Sequence, residues 1–131
     1  MKRAVTATQV LKALTQETDH PEWGPRAAAR LRQLADALER QLMEFKQSGA
    51  WEELPLRAPQ FLRAMERLDR KQQGALQELR ALAAELAELN GPPSTDVMRR
   101  LKETLHSVER YEQEEDLILQ RAYWDDIGVG D

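Results

Sequence analysis

A chain of 131 residues is long enough for one domain with one core, and this one carries two histidines, no cysteine and a formal net charge of −4. The missing cysteine excludes disulfides, thiolate metal ligands and cysteine nucleophiles, and the acidic balance argues against sequence-independent nucleic-acid binding. Because no run of about 20 apolar residues is present and the first residues are too polar for a signal peptide, we expect a cytoplasmic protein without a membrane span.

Four helical segments are predicted, separated by three breaks that contain glycine and proline. The first helix is short, near residues 5–18, and the break at 19–25 ends it because proline fits the first turn of a helix but not its interior. The second break, residues 48–59, is wide enough to reverse the chain. In the third break, residues 90–94, Asn-Gly suits the end of one helix and either Ser94 or Thr95 suits the N-cap of the next.

Apolar residues recur at helical spacing in each segment, which predicts the face that turns inward. Connections this short favour helices that are neighbours in space, so the sequence predicts an all-α protein in which residues 1–131 form one antiparallel up-and-down four-helix bundle with a short first helix. The inward residues, in chain order of the four helices, are Ala7, Val10, Leu11 and Leu14; Ala27, Leu31, Leu34, Leu38, Leu42 and Phe45; Leu62, Met65, Leu68, Leu76, Leu79, Leu82, Ala83, Leu86 and Leu89; and Val97, Leu101, Leu105, Val108, Leu119 and Ala122.

Polar residues interrupt two of these apolar faces. Gln72 lies at the middle of the third face, between Leu68 and Leu76, and Glu115 is equally central in the fourth, with Tyr111 one turn earlier. A carboxylate in an apolar core is costly unless it is hydrogen-bonded, protonated or reached by water, and Gln72 and Tyr111 are its candidate partners. Three interpretations stay open: a polar site of the kind in which four-helix proteins hold metals and cofactors, a hydrogen-bonded network that fixes helix register, or solvent that enters a loosely closed end of the bundle.

The spacing of a carboxylate-bridged di-iron site, Glu-x-x-His on two helices, occurs at residues 17–20 and 103–106. The apolar face at Leu101 and Leu105 puts Glu103 nearly opposite the inward side, and His20 lies at the rim of the bundle. Both matches are therefore interpreted as coincidences. No inward serine lies near a histidine and no glycine-rich phosphate loop is present, so nothing indicates an enzyme.

The run Tyr111–Tyr123 and the tail Asp126–Asp131 resemble the last helix and tail of bacterial hemerythrin-like proteins. In that family a histidine heads the run, a glutamate follows four residues later, and both bind a di-iron centre inside an antiparallel four-helix bundle. Glu115 matches the family glutamate, whereas Tyr111 stands where the histidine would be.

The middle of the chain follows the same pattern less specifically. Residues 42–51 resemble the family segment in which a His-Phe pair precedes acidic residues, glycines and an aromatic, which places Leu42 at a histidine position and Lys46 at a glutamate position. Gln72 falls about where another ligand histidine is expected. An iron site built on imidazole ligands is not compatible with these replacements.

The resemblance implies a hemerythrin-like bundle that has lost most of its metal ligands, with Gln72, Tyr111 and Glu115 as a vestigial polar site, no metal or cofactor and no catalytic residue. We expect a non-enzymatic interaction, oligomerisation or regulatory module whose partner is a second copy or another protein, not nucleic acid or a membrane. The alternative is an iron- or oxygen-binding metalloprotein that holds non-haem iron through Tyr111 and Glu115.

Unequal helix lengths predict where a second copy would bind. The third and fourth helices are each about 45 Å long, and the first covers less than half of that length. An apolar face around Leu82, Leu86 and Leu89, or around Val97 and Leu101, would then lack a neighbour and form a two-fold dimer interface.

Overall fold

A computed structural model describes the backbone of residues 6–57 and 59–129, and the side chains of residues 6–49, 51–53, 56 and 59–121. The described chain is helical throughout and contains no strand, which confirms the all-α prediction. None of its helices is both long and apolar enough to cross a bilayer. The elements are α1 (Ala7–Gln16), α2 (Trp23–Gln47), α3 (Ala50–Arg57), a 3₁₀ turn (Pro59–Phe61), α4 (Leu62–Ala87) and α5 (Thr95–Val129).

The connection at residues 48–59 differs from the prediction, because it contains the eight-residue helix α3. Gly49 takes a φ of 88°, which glycine adopts at low cost, and its carbonyl accepts hydrogen bonds from the amides of Glu52 and Glu53. The Trp51 ring packs edge-on against Phe45 of α2, with centroids 5.9 Å apart. The short helix is thus held against the end of α2 by an aromatic pair.

Capping residues define two helix starts. The Thr6 hydroxyl accepts from the Gln9 amide at 3.2 Å while the Gln9 side chain accepts from the Thr6 amide at 3.3 Å, a capping box for α1. The Ser94 hydroxyl accepts from the Val97 amide at 3.2 Å and caps α5, as the sequence predicts. Gly91, at φ 82°, makes the left-handed turn between α4 and α5.

Contacts between helices give their relative directions. Along α2 and α4, Arg80 bonds to Asp36 and Glu39 while Lys46 lies 3.0 Å from Asp69, so later residues of α2 meet earlier residues of α4. The α4 and α5 pair behaves in the same way, because Glu85 bonds to Arg100 and Lys71 to Glu114. Each pair therefore runs antiparallel. We call the end of this array that carries Trp23, Ala87 and Thr95 the upper end, and the end that carries Gln47, α3 and Leu62 the lower end.

Helix α1 packs against α5 and α2 at the upper end. The indole N–H of buried Trp23 donates to the Leu14 carbonyl at 2.9 Å, which ties the last turn of α1 to the start of α2 and satisfies one of the carbonyls that a helix end leaves unpaired. Because α1 lies here, Leu82, Leu86, Val97 and Leu101 are all buried in one core with it, and Leu89 is half-buried. The prediction of an uncovered dimer interface at these residues is wrong.

Most predicted inward residues form the core. Leu62 is the clear exception, with 41% of its surface exposed at the first residue of α4. Leu11, Phe45 and Leu119 are half-buried, and the side chain of Ala122 lies outside the described residues. Four buried hydrophobic residues were not predicted: Trp23, Ala28, Ala35 and Ala75.

Candidate functional site

A polar pair joins α4 and α5 below the α1 helix. Gln72, on α4, is 4% exposed, and its side-chain amide Nε2 donates to Oε2 of Glu115 on α5 at 3.0 Å. Glu115 is half-buried. The antiparallel pairing of the two helices brings these residues, 43 positions apart in sequence, to one level. A buried amide hydrogen is thereby given an acceptor, which avoids the desolvation cost of leaving it unpaired.

The pair lies in the wall of a narrow apolar pocket at the lower end. The space in this pocket that water can occupy is about 20 Å³, room for about one water molecule. Apolar side chains from α2, α3, α4 and α5 make up most of its lining: Leu42, Phe45, Trp51, Met65, Leu68, Ile118 and Leu119.

Lys46 contributes the cation in the pocket lining, and Asp69 contributes a second carboxylate. The Lys46 ammonium lies 3.0 Å from Oδ1 of Asp69 and 5.3 Å from the centroid of the Trp51 ring. The contact is an ion pair, and Oδ1 of Asp69 is buried. Lys46, which the resemblance puts at a glutamate ligand position, is thus a cation whose charge Asp69 neutralises.

Tyr111 is not part of the pocket lining. It is half-buried and packs against the core one turn before Glu115, and the Lys71 ammonium lies 5.9 Å from its ring centroid. The structure thus brings Gln72 and Glu115 together, as their positions on the helical faces indicated, and places Tyr111 beside Lys71 instead.

Glu112 is a buried acid that the sequence analysis missed, at 8% exposure. Its position continues the spacing of Leu101, Leu105 and Val108, which could have revealed it. A pattern of apolar residues at this spacing passes over Glu112 because its side chain is charged.

The two histidines lie away from the polar pair. His20 Nδ1 accepts from the Glu22 amide at 3.0 Å in the α1–α2 connection. His106 is 60% exposed and 3.9 Å from Glu109. Within the part of the chain that the structure describes, no group of three or more histidine, aspartate or glutamate side chains is placed to hold a metal ion.

The residues at the polar pair do not fit the imidazole-ligated di-iron centre that the resemblance implies. They offer one carboxylate and one amide, and the carboxylate already accepts the amide hydrogen. Leu42, at a histidine position of the family, is buried and apolar. Imidazole ligands, which such iron sites use, are not supplied by these side chains.

Comparisons with known proteins do not place the chain in a family: no family model, no curated protein and no solved structure matches it.

Proposed function

We propose that α1, α2, α4 and α5 form an antiparallel up-and-down bundle of the hemerythrin-like kind, in which a polar side-chain pair replaces the metal centre. The protein then acts as a non-enzymatic, cytoplasmic interaction module that uses its surface. The hydrogen bond between Gln72 and Glu115 is the observation that carries this proposal. The Gln72 amide gives the Glu115 carboxylate a hydrogen-bond donor in place of a cation. The pair is therefore stable without a bound metal ion.

Charge at the pocket supports the same proposal. A metal ion bound by Glu115 would compete with the Gln72 amide for the carboxylate and would share the pocket with the Lys46 ammonium. Like charges inside a pocket of low polarity repel each other more strongly than they would in water. Burial of Leu42 in the same lining adds apolar volume in place of a ligand.

The distribution of exposed apolar side chains supports an interaction role. Among the described residues, the large hydrophobic side chains that are most exposed are Met43, Leu56, Leu62 and Leu117, with Leu56 at 82%. The first three lie at the lower end, and Leu117 lies on the part of α5 that packs beside the first turns of α4. Large exposed apolar side chains such as these are contacts that a partner protein would cover.

Anaerobic titration with ferrous iron, followed by desalting, oxidation of any bound iron by exposure to air, metal analysis and an absorption spectrum, tests the proposal. We expect no stoichiometric iron and no charge-transfer band. Tyr111→Phe is the matched variant, because it removes only the phenolic oxygen. Stoichiometric iron in the natural chain, with a tyrosinate band that Tyr111→Phe abolishes, would replace the proposal with the alternative: a metalloprotein that binds iron through Tyr111 and Glu115.

A further inference from the structure

A second concavity lies on the outside of the molecule, between the lower halves of α4 and α5. Its apolar floor contains Leu68, Leu117 and Ile118, and Leu117 is 52% exposed. The space that water can occupy here is about 200 Å³, ten times that in the pocket beside Gln72. We call this concavity, with the charged residues along its edges, the α4–α5 groove. An exposed leucine in its floor is the kind of contact that a partner side chain would cover.

The edges of the α4–α5 groove carry three cations, Arg67, Lys71 and Arg121, and one carboxylate, Glu114. Glu114 lies 3.4 Å from the Lys71 ammonium, so that pair is locally neutral, whereas Arg67 and Arg121 add a formal charge of about +2. The whole chain has a formal net charge of −4. The groove is therefore a basic patch over an apolar floor on an acidic protein.

We propose that the α4–α5 groove binds an acidic amphipathic helix of a partner protein. This inference rests on the proposed interaction role and names the surface and the partner chemistry. The lining runs from Ala64 to Lys71 on α4 and from Glu114 to Arg121 on α5, two helical turns or about 11 Å on each side. A partner helix would place apolar residues at i, i+3 or i+4 and i+7 on the floor and its acids against the two arginines.

A second copy of this chain fits the groove less well. In a two-fold dimer the same surface meets itself, so the net positive lining of one copy would face the net positive lining of the other. Like charges brought together at an interface oppose association. The local charge therefore favours an acidic partner over self-association.

Fluorescence anisotropy with designed peptides tests the inference. The probe is a labelled peptide of about 16 residues, long enough for about four helical turns, with leucines at i, i+3 and i+7 flanked by glutamates. The matched peptide has lysine in place of every glutamate. We expect saturable binding of the acidic peptide that weakens with added salt, because the attraction is between exposed charges, and much weaker binding of the lysine peptide.

Variants locate the binding surface. Arg67→Glu and Arg121→Glu should each weaken binding of the acidic peptide by about threefold to tenfold. Arg32→Glu is the control, since it makes the same charge change at an exposed position of α2 that does not line the groove. Amide chemical shifts should change at Ala64, Leu117 and Ile118 when the peptide binds.

Three outcomes would overturn the inference: no binding of the acidic peptide up to about 1 mM, equal binding of the lysine peptide, or equal losses in the groove variants and Arg32→Glu. Self-association that Leu117→Glu abolishes would also overturn it, because a second copy would then occupy the groove. None of these outcomes bears on iron binding, so the failure of this inference is distinguishable from the failure of the proposed function.

Discussion

Gln72 and Glu115 stabilise the fold as a pair and not as individuals. Gln72→Leu removes the amide donor and Glu115→Leu removes its acceptor, and each change leaves a polar group in an apolar pocket. We expect each single variant to lose about 1–3 kcal/mol of unfolding free energy, and the double variant to lie close to the natural chain. Urea unfolding of all four proteins, analysed as a double-mutant cycle, measures the coupling. Additive losses in the double variant would show that the hydrogen bond contributes nothing.

Glu85 and Arg100 form an exposed two-pronged ion pair between α4 and α5, with N–O distances of 2.8 and 2.6 Å. The hydrogen bonds from Arg100 hold the pKa of the Glu85 carboxyl below its ordinary value. A lowered carboxyl pKa means that this pair stabilises the fold above the ordinary pKa of glutamate and that the stabilisation is lost as the pH falls through the lowered value.

A pH titration followed by NMR checks the effect of Arg100. The Glu85 side chain should titrate at a higher pH in Arg100→Gln than in the natural chain, and added salt should reduce the difference because both groups are exposed. An identical midpoint in the two proteins would show that Arg100 does not hold this carboxylate in solution.

At the scale of the helices, replacing two glycines by alanine should change the stability of the fold in opposite directions. A Cβ at Gly24 of α2 would lie 2.5 Å from the Leu86 carbonyl oxygen and 2.8 Å from Cβ of Leu89, so Gly24→Ala must push α2 away from α4. We expect a loss of about 1–3 kcal/mol. Gly74 of α4 has nothing within 4 Å of such a Cβ, so Gly74→Ala should gain about 0.5–1 kcal/mol from helix propensity. Thermal unfolding of both variants is the measurement, and changes of the same sign would contradict the close packing of α2 on α4.

The helices show what the sequence could and could not predict. Helical periodicity identified the buried faces of α2, α4 and α5 because burial repeats with the turn of the helix, and it placed Gln72 on one of them. It missed α3 and Trp23, which lie in segments too short or too rich in glycine and proline to show a period. It also missed Glu112, because the periodicity was read from apolar side chains and this side chain is charged. The hydrogen bond between Gln72 and Glu115 depends on the register of α4 against α5. Residue spacing within one helix carries no information about that register.

At the scale of the whole molecule, the large described apolar side chains at the upper end are buried in the core or packed against it, and the most exposed ones lie further down. This arrangement changes the expected oligomeric state. With Leu82, Leu86 and Leu101 buried under α1, the two-fold interface predicted from helix lengths is not available. The basic rim of the α4–α5 groove opposes pairing with itself. We therefore expect a monomer at micromolar concentration by light scattering. A dimer that Leu117→Glu dissociates would contradict this expectation and assign the groove to a second copy.

The proposal that the Gln72–Glu115 pair stands in place of a metal centre is tested most directly by thermal unfolding of metal-stripped protein, measured anaerobically with ferrous iron and separately with a chelator. A ligand that binds only the folded state raises the unfolding temperature by an amount that grows with the logarithm of its concentration relative to its Kd. We predict one unfolding temperature for the stripped protein, the protein with iron and the protein with chelator. A rise with iron that Glu115→Gln abolishes would contradict the account, because it would show that this carboxylate binds iron in the folded protein.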